Sequence, residues 1–366
     1  MKWSWELKNW PCFEYDYSDL AAYEIEFQRN MGKVIGVLQH FDQSNTDHLR
    51  IEILTQEALS TSEIEGEILN RDSVQSSIRR QLGLQTNRNK VNPKEAGIAE
   101  LMVNVYTQYD QKLSKSILCD WHKMVTNGRR DLDVIGDYRK HIEPMQIVSG
   151  NYTNQKLFYE APPSRVLNKE MKAFINWYNS NLTNTSEFPT LIFAGITHLY
   201  FEMIHPFEDG NGRIGRALVE KAISQRINGP SLNSFAKIID TKKKKYYETL
   251  QACNHTLEIT KWLDFFSKTV IESQEYTFKL IDFLIKKNKF FAKYNSLLNE
   301  RQEKVLLRIF AEGIHGFKGG LSAGNYQSIA NTSPATATRD LVQLVEMGAL
   351  RKEGELRHAR YWAEME

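Results

Sequence analysis

Three cysteines in 366 residues, Cys12, Cys119 and Cys253, are too few and too scattered for a disulfide framework or a metal-ligand spacing. Buried or free thiols in a reducing compartment are expected instead. Net charge is nearly absent as well, since 47 lysines and arginines face 45 acids and leave +2. This balance removes any global electrostatic case for nucleic acid or an anionic membrane; only a local basic patch could supply one. No apolar run approaches the roughly 20 residues of a membrane span, and the opening Met1-Lys-Trp-Ser-Trp-Glu6 lacks the apolar core of a secretion signal. A cytoplasmic protein without a membrane partner is expected. Length is not scarce, because 366 residues allow two or three domains.

The densest chemistry lies in His205-Pro-Phe-Glu-Asp-Gly-Asn-Gly-Arg-Ile-Gly-Arg216, between apolar helical runs at Leu191 to Ile204 and Ala217 to Ile227. A glycine-rich turn opening into a helix offers backbone N–H groups and a positive dipole end to an anion. Arg213 and Arg216 can lean over one side of that helix's first turn and add charge-assisted hydrogen bonds. His205 is suited to taking a hydroxyl proton. Asp209 is a hard oxygen ligand of the kind Mg²⁺ prefers. Gly210, Asn211 and Gly212 permit the tight turn, and Phe207 reads as a buried anchor. Together these residues point to phosphate chemistry.

The surrounding chain is mostly helical in pattern. An aromatic arm, with Trp3, Trp5, Trp10, Phe13, Tyr15 and Tyr17, suits packing on its own domain or on a second subunit. Leu20 to Leu69 carries two helical runs, with Asn45-Thr-Asp47 placed to cap the second. That second helix is expected to end in Ser60-Thr-Ser-Glu-Ile-Glu-Gly-Glu-Ile-Leu69, where Glu63, Glu65 and Glu67 read as a solvated acidic face. Gly66 costs about 1 kcal/mol inside a helix, which marks a close approach of another backbone or ligand. Ser73 to Glu95, including Asn87–Pro93, reads as a polar connector, and helical pattern resumes from Ala99 to Met124.

Met145–Val148 and Lys156–Glu160 flank a turn-rich Ser149–Asn154 and predict a hairpin resting on the helical body. Further helices are expected over Val166–Tyr178, from Lys242-Lys-Lys-Lys245 through Phe266, and from about Val270 to Phe291. The four lysines read as a solvated helix end or as an aid in drawing in a polyanion. From Asn299 onward, three short helices and two strands spell a winged helix-turn-helix, its third helix opened by Ser333 and Pro334 and closed near Gly348.

His205 to Arg216 resembles the Fic-family signature His-Pro-Phe-x-[Asp/Glu]-Gly-Asn-Gly-Arg-x-x-Arg, with every fixed position present. The resemblance implies a mainly α fold: a Fic-type helical core with a β-hairpin flap, plus the C-terminal winged helix-turn-helix domain. The implied boundaries are 1–94 for the arm and N-terminal helices, 95–270 for the core, 271–298 for a connecting helix and 299–366 for the tail. It also implies a protein adenylyltransferase that moves AMP from Mg²⁺-bound ATP to a Ser, Thr or Tyr hydroxyl of a target protein. By position His205 becomes the general base and Asp209 the Mg²⁺ ligand. The ATP contacts become Glu65, His205, Gly210, Asn211, Gly212, Arg213, Ile214, Gly215, Arg216, Tyr246 and Tyr247, the two tyrosines at the base. Thr61-Ser-Glu-Ile-Glu65-Gly66 is similar to the family's inhibitory motif, which implies that Glu65 pairs with Arg216 and restrains the site.

The flap at about 145–159 is the implied docking strand for the target. Removal of AMP by the same site stays open, and phosphate transfer of the Doc type is less suited to Gly210-Asn-Gly-Arg213. A homodimer stays open as a further partner. DNA binding through the tail would use Thr336, Thr338, Arg339 and Gln343 on bases, with Arg351, Lys352, Arg357 and Arg360 on phosphates.

Overall fold

A computed structural model describes residues 1–84, 91–149, 156–317 and 319–365. The described chain is mainly helical and divides into two compact units, Met1–Thr277 and Phe278–Glu366.

In the first unit, helix α1 (Ala21–Leu38) buries Phe27, Met31 and Val34, spaced at threes and fours as one face of a helix requires. Helix α2 (Gln43–Ile64) starts earlier than Asn45-Thr-Asp47 suggests. Asp42 is its cap, accepting from the Asn45 N–H at 2.7 Å, and Asn45 to Asp47 lie inside the first turns. The helix also stops at Ile64 rather than running to Leu69, because Gly66 takes φ +83° and turns the chain. No atom lies within 4 Å of where a Gly66 Cβ would stand. Glycine is needed there for its left-handed backbone, not for a close approach.

The expected connector holds a helix, α3 (Arg71–Gln81), capped by Asn70 and seated by Val74 and Ile78. Its two apolar anchors among nine other residues made its composition look like loop. The Asn87–Lys90 part of that stretch lies outside the described residues. Helices α4 (Pro93–Thr107) and α5 (Lys115–Val125) follow.

Strands β1 (Gln146–Ser149) and β2 (Lys156–Glu160) pair antiparallel, Gln146 opposite Glu160, with an irregularity between Ile147 and Val148. Most of the turn expected between them lies outside the described residues. Helix α6 (Leu167–Asn181) leads to the central pair, α7 (Thr190–Ile204) and α8 (Asn211–Ile227). Nearly every side chain of both is buried, so they form the middle of the core rather than an amphipathic surface. A short α9 (Phe235–Thr241) precedes α10 (Lys243–Ala252), which ends well before Leu257. Trp262 to Phe266 instead begin α11 (Thr260–Tyr294), one continuous helix through the place where two were expected.

The aromatic arm packs on its own unit. Trp5 Nε1 donates to the Glu160 carbonyl at 2.8 Å, the Ser4 N–H donates to the Asn254 carbonyl at 2.8 Å, and Trp10 meets Tyr200 edge-on at 5.2 Å. No described helix is long and apolar enough to cross a membrane.

The second unit consists of the end of α11, then α12 (Glu300–Phe310), α13 (Ala323–Ala330), α14 (Pro334–Glu346) and the antiparallel hairpin β3 (Leu350–Glu353) with β4 (Arg360–Ala363). Ser333 and Pro334 open α14 as cap and first residue. Phe283 meets Phe310 at a tilt and Phe290 meets it edge-on, and buried Asp340 binds Arg301 and Tyr326.

Candidate active site

The junction of α7 and α8 is held in shape by buried polar contacts. Asn211 clasps the backbone of Phe207, accepting its N–H at 3.0 Å and donating to its carbonyl at 2.8 Å. Phe207 is fully buried and stacks on His122 with ring centres 4.3 Å apart, while His122 Nδ1 accepts the Gly136 N–H. Arg139, 1% exposed, straps the loop from behind: its Nε donates to the His205 carbonyl at 2.9 Å and its N–H to that of Pro206. An arginine spent inside the fold has no local signature in the sequence.

His205 caps α7 with φ +50°, a left-handed backbone that costs a non-glycine residue energy and recurs at functional sites. Its Nδ1 lies 3.3 Å from the Glu202 carbonyl, which favours the tautomer with hydrogen on Nδ1 and a free lone pair on Nε2. Burial pushes its pKa down to about 4, helped by Arg139 and opposed by the Glu202 carbonyl. The ring is therefore a neutral acceptor near pH 7. Glu202 lies beneath it, its Oε2 3.9 Å from Nδ1, and burial lifts that carboxyl to about 8 despite Arg216 nearby.

Facing His205 is the start of α8, whose first residues, Asn211, Gly212 and Arg213, have N–H groups with no carbonyl partner inside the helix. Arg216 is 3% exposed and fully engaged: Nη2 donates to Glu65 Oε1 at 2.6 Å and to the Thr61 carbonyl at 2.9 Å, and Nε to Thr61 Oγ1 at 2.7 Å. Burial opposes the charge on Arg216, but Glu65 holds its pKa above the ordinary arginine value. Arg213 donates to Glu67 Oε2 at 2.8 Å and to the Val125 carbonyl at 3.3 Å, and lies 3.5 Å from Asp209 Oδ1. The Asp209 carboxylate also receives Arg129, which chelates Asp131 with its other nitrogens. Burial raises the Asp209 pKa, yet Arg213, the Gly210 N–H and Arg129 together bring it below the usual value. The close approaches are at α8. A Cβ on Gly212 would stand 2.3 Å from Glu65 Oε1, and one on Gly215 would stand 2.4 Å from Glu202 Oε1.

The structure thus gathers Glu65, His205, Asp209, Gly210, Asn211, Gly212, Arg213, Gly215 and Arg216 around one corner. Two residues expected at a nucleotide differ. Ile214 has a fully buried side chain, and its N–H is spent on the Gly210 carbonyl at 3.0 Å, so it has nothing to offer a ligand. Tyr246 is 1% exposed with its hydroxyl bonded to His198, whereas Tyr247 is 43% exposed near Glu65 and Arg216. Only Tyr247 can present a ring. The residues missed by sequence are Arg129, Arg139, Glu202 and Glu67. Of these, Glu67 had a signal: two glutamates straddling a glycine match two arginines three residues apart.

No cluster of three or more His, Cys, Asp or Glu among the described residues could hold a metal by itself. A single carboxylate does suit Mg²⁺ when phosphates and waters complete the shell. Asp209 therefore fits a nucleotide-borne Mg²⁺ and not a free-standing metal site.

Parts of the chain are similar to known proteins. Residues 112–223 match the Fic/DOC family, and residues 3–84 match a family described as a domain of unknown function (DUF4172). Over 129 residues the chain is 30% identical to a protein adenylyltransferase Fic of Nematostella vectensis, covering 34% of this chain and 28% of that protein. Over 93 residues it is 29% identical to a probable protein adenylyltransferase of Aquifex aeolicus, covering 25% of this chain and 26% of that protein. The matched stretch thus spans little more than a quarter of either curated relative.

Two solved structures share the fold. A Fic family protein from Desulfovibrio desulfuricans has a TM-score of 0.52 at 19% identity, over 93% of this chain and 96% of that one. A Fic domain containing signaling protein from Bacteroides thetaiotaomicron has a TM-score of 0.53 at 17% identity, over 69% of this chain and 96% of that one. The chain thus carries a Fic/DOC domain at residues 112–223.

Proposed function

We propose that the chain transfers AMP from ATP to a side-chain hydroxyl of a target protein and that Glu65 restrains this activity. One observation carries the reading. A glutamate carboxylate sits on the N-terminus of α8, bonded to a buried arginine at 2.6 Å, in a seat suited to a phosphate. The adenylyltransferase names of the Nematostella and Aquifex relatives support the same chemistry.

In this reaction His205 Nε2 takes the proton of the attacking hydroxyl. The new bond joins that oxygen to the α-phosphorus, and pyrophosphate leaves with the electrons of the broken Pα–O bond. The N–H groups of Gly212 and Arg213 and the guanidinium groups of Arg213 and Arg216 hold the phosphates in line. Mg²⁺ on Asp209 supplies neutralisation of phosphate charge. Asp209, which Arg129 and Arg213 now face, is the carboxylate that would hold that ion. The β1–β2 hairpin offers a backbone edge on which a target segment aligns.

Incubation with α-labelled ATP and Mg²⁺ tests the proposal. The parent labels itself or a lysate target weakly, Glu65→Gly raises labelling about tenfold or more, and His205→Ala abolishes it. Equal labelling by all three would refute the mechanism. Faster loss of label from a modified protein, with no gain from ATP, would assign the site to AMP removal instead.

A further inference from the structure

We infer that Glu67 is a second restraint, acting on Arg213 as Glu65 acts on Arg216, and that Lys94 receives Glu67 when the restraint lifts. The inference rests on the nucleotide reading above and concerns how that site is regulated.

The two glutamates flank Gly66, where the left-handed backbone turns the chain off the end of α2. Both tie their N–H groups to one carbonyl, that of Ser62, at 3.1 Å from Glu65 and 2.9 Å from Glu67. They therefore enter and leave the site as one unit. Glu67 Oε2 takes Arg213 at 2.8 Å, with the arginine side chain 5% exposed and the glutamate 20%. A phosphate seeking Arg213 must displace this carboxylate, just as one seeking Arg216 must displace Glu65.

Glu67 is not what holds Arg213 in place. The guanidinium also reaches the Val125 carbonyl at 3.3 Å and lies 3.5 Å from Asp209 Oδ1, so it keeps its pose without the glutamate. Glu67 has its own alternative partner, because Oε1 already accepts from Lys94 Nζ at 3.1 Å. Lys94 stands in the first turn of α4, its side chain 44% exposed and able to follow. Ligand binding thus exchanges one ion pair for another, and Glu67 is never left without a cation.

Calorimetric titration with Mg²⁺ and α,β-methylene-ATP, which cannot give up AMP, tests the inference on the full chain. Glu67→Gln is expected to bind about fivefold or more tighter than the parent, and Glu65→Gln/Glu67→Gln tighter than Glu65→Gln by a similar factor. Lys94→Ala is expected to bind more weakly than the parent, since Glu67 then has only Arg213. Glu67→Gln binding like the parent, with the double variant matching Glu65→Gln, overturns the inference while leaving the nucleotide site intact. Weaker binding by Glu67→Gln also overturns it, by making Glu67 a support for Arg213. Failure of every variant to bind, with melting temperatures unchanged, overturns the nucleotide reading and this inference with it.

Discussion

At the scale of single residues, burial decides what His205 can do. An imidazole pushed down to about 4 stays unprotonated through the whole range in which a free histidine would titrate. As the proposed base it fails only once protonated, so its acid limb is expected below the ordinary histidine pKa. For the Glu65→Gly variant, kcat/KM for transfer is expected to stay level from pH 7 to about 5 and to fall tenfold per unit below about 4. A limb near pH 6.5 would show that the ring is not desolvated in the working enzyme. The chemistry of His205, Asp209 and Arg216 was legible because the motif packs them into twelve residues. Arg129 and Arg139 were not, because they meet Asp209 and His205 from distant parts of the chain, and Glu202, three residues before His205, is a single buried charge in an apolar run that leaves no periodic trace.

At the scale of elements, the end of α2 matters most, and it was partly misread. The acidic run is visible in the sequence, but Gly66, a glycine within a helical pattern, reads as an interior position of close packing. Its actual task is to stop the helix with φ +83°, which sends Glu65 and Glu67 to different arginines. An alanine there meets no atom but must adopt a left-handed backbone, at a cost of about 1–2 kcal/mol. Gly66→Ala is therefore expected to lose about that much stability in urea unfolding and, because the strain falls on the clamp, to raise AMP labelling above the parent. Unchanged labelling with the full stability loss would place the turn outside the restraint. The same element shows why α3 escaped notice. Val74 and Ile78 seat it, too few for a periodic pattern to stand out in a polar stretch.

At the scale of the whole molecule, helical content and the order of motif, hairpin and tail could be read from apolar spacing and turn residues. The division of the chain could not, because it falls at Thr277–Phe278 inside the continuous α11, where no loop composition marks it. A chain ending at 298 retains Phe283, Phe290 and Tyr294 while losing Phe310 and the rest of their core, and is expected to aggregate at moderate concentration. One ending at 277 removes those side chains too and is expected to stay monodisperse in light scattering. Equal behaviour of the two would mean that the end of α11 does not depend on the rest of the second unit. The aromatic arm has a consequence of its own. Trp5 is bonded to the end of β2, and Trp3 lies 5.4 Å from Tyr159, whose hydroxyl reaches the Met203 carbonyl two residues before His205. The base of the hairpin therefore carries built-in fluorophores, and a target segment aligned along that edge as proposed is expected to change the protein's own emission without a dye.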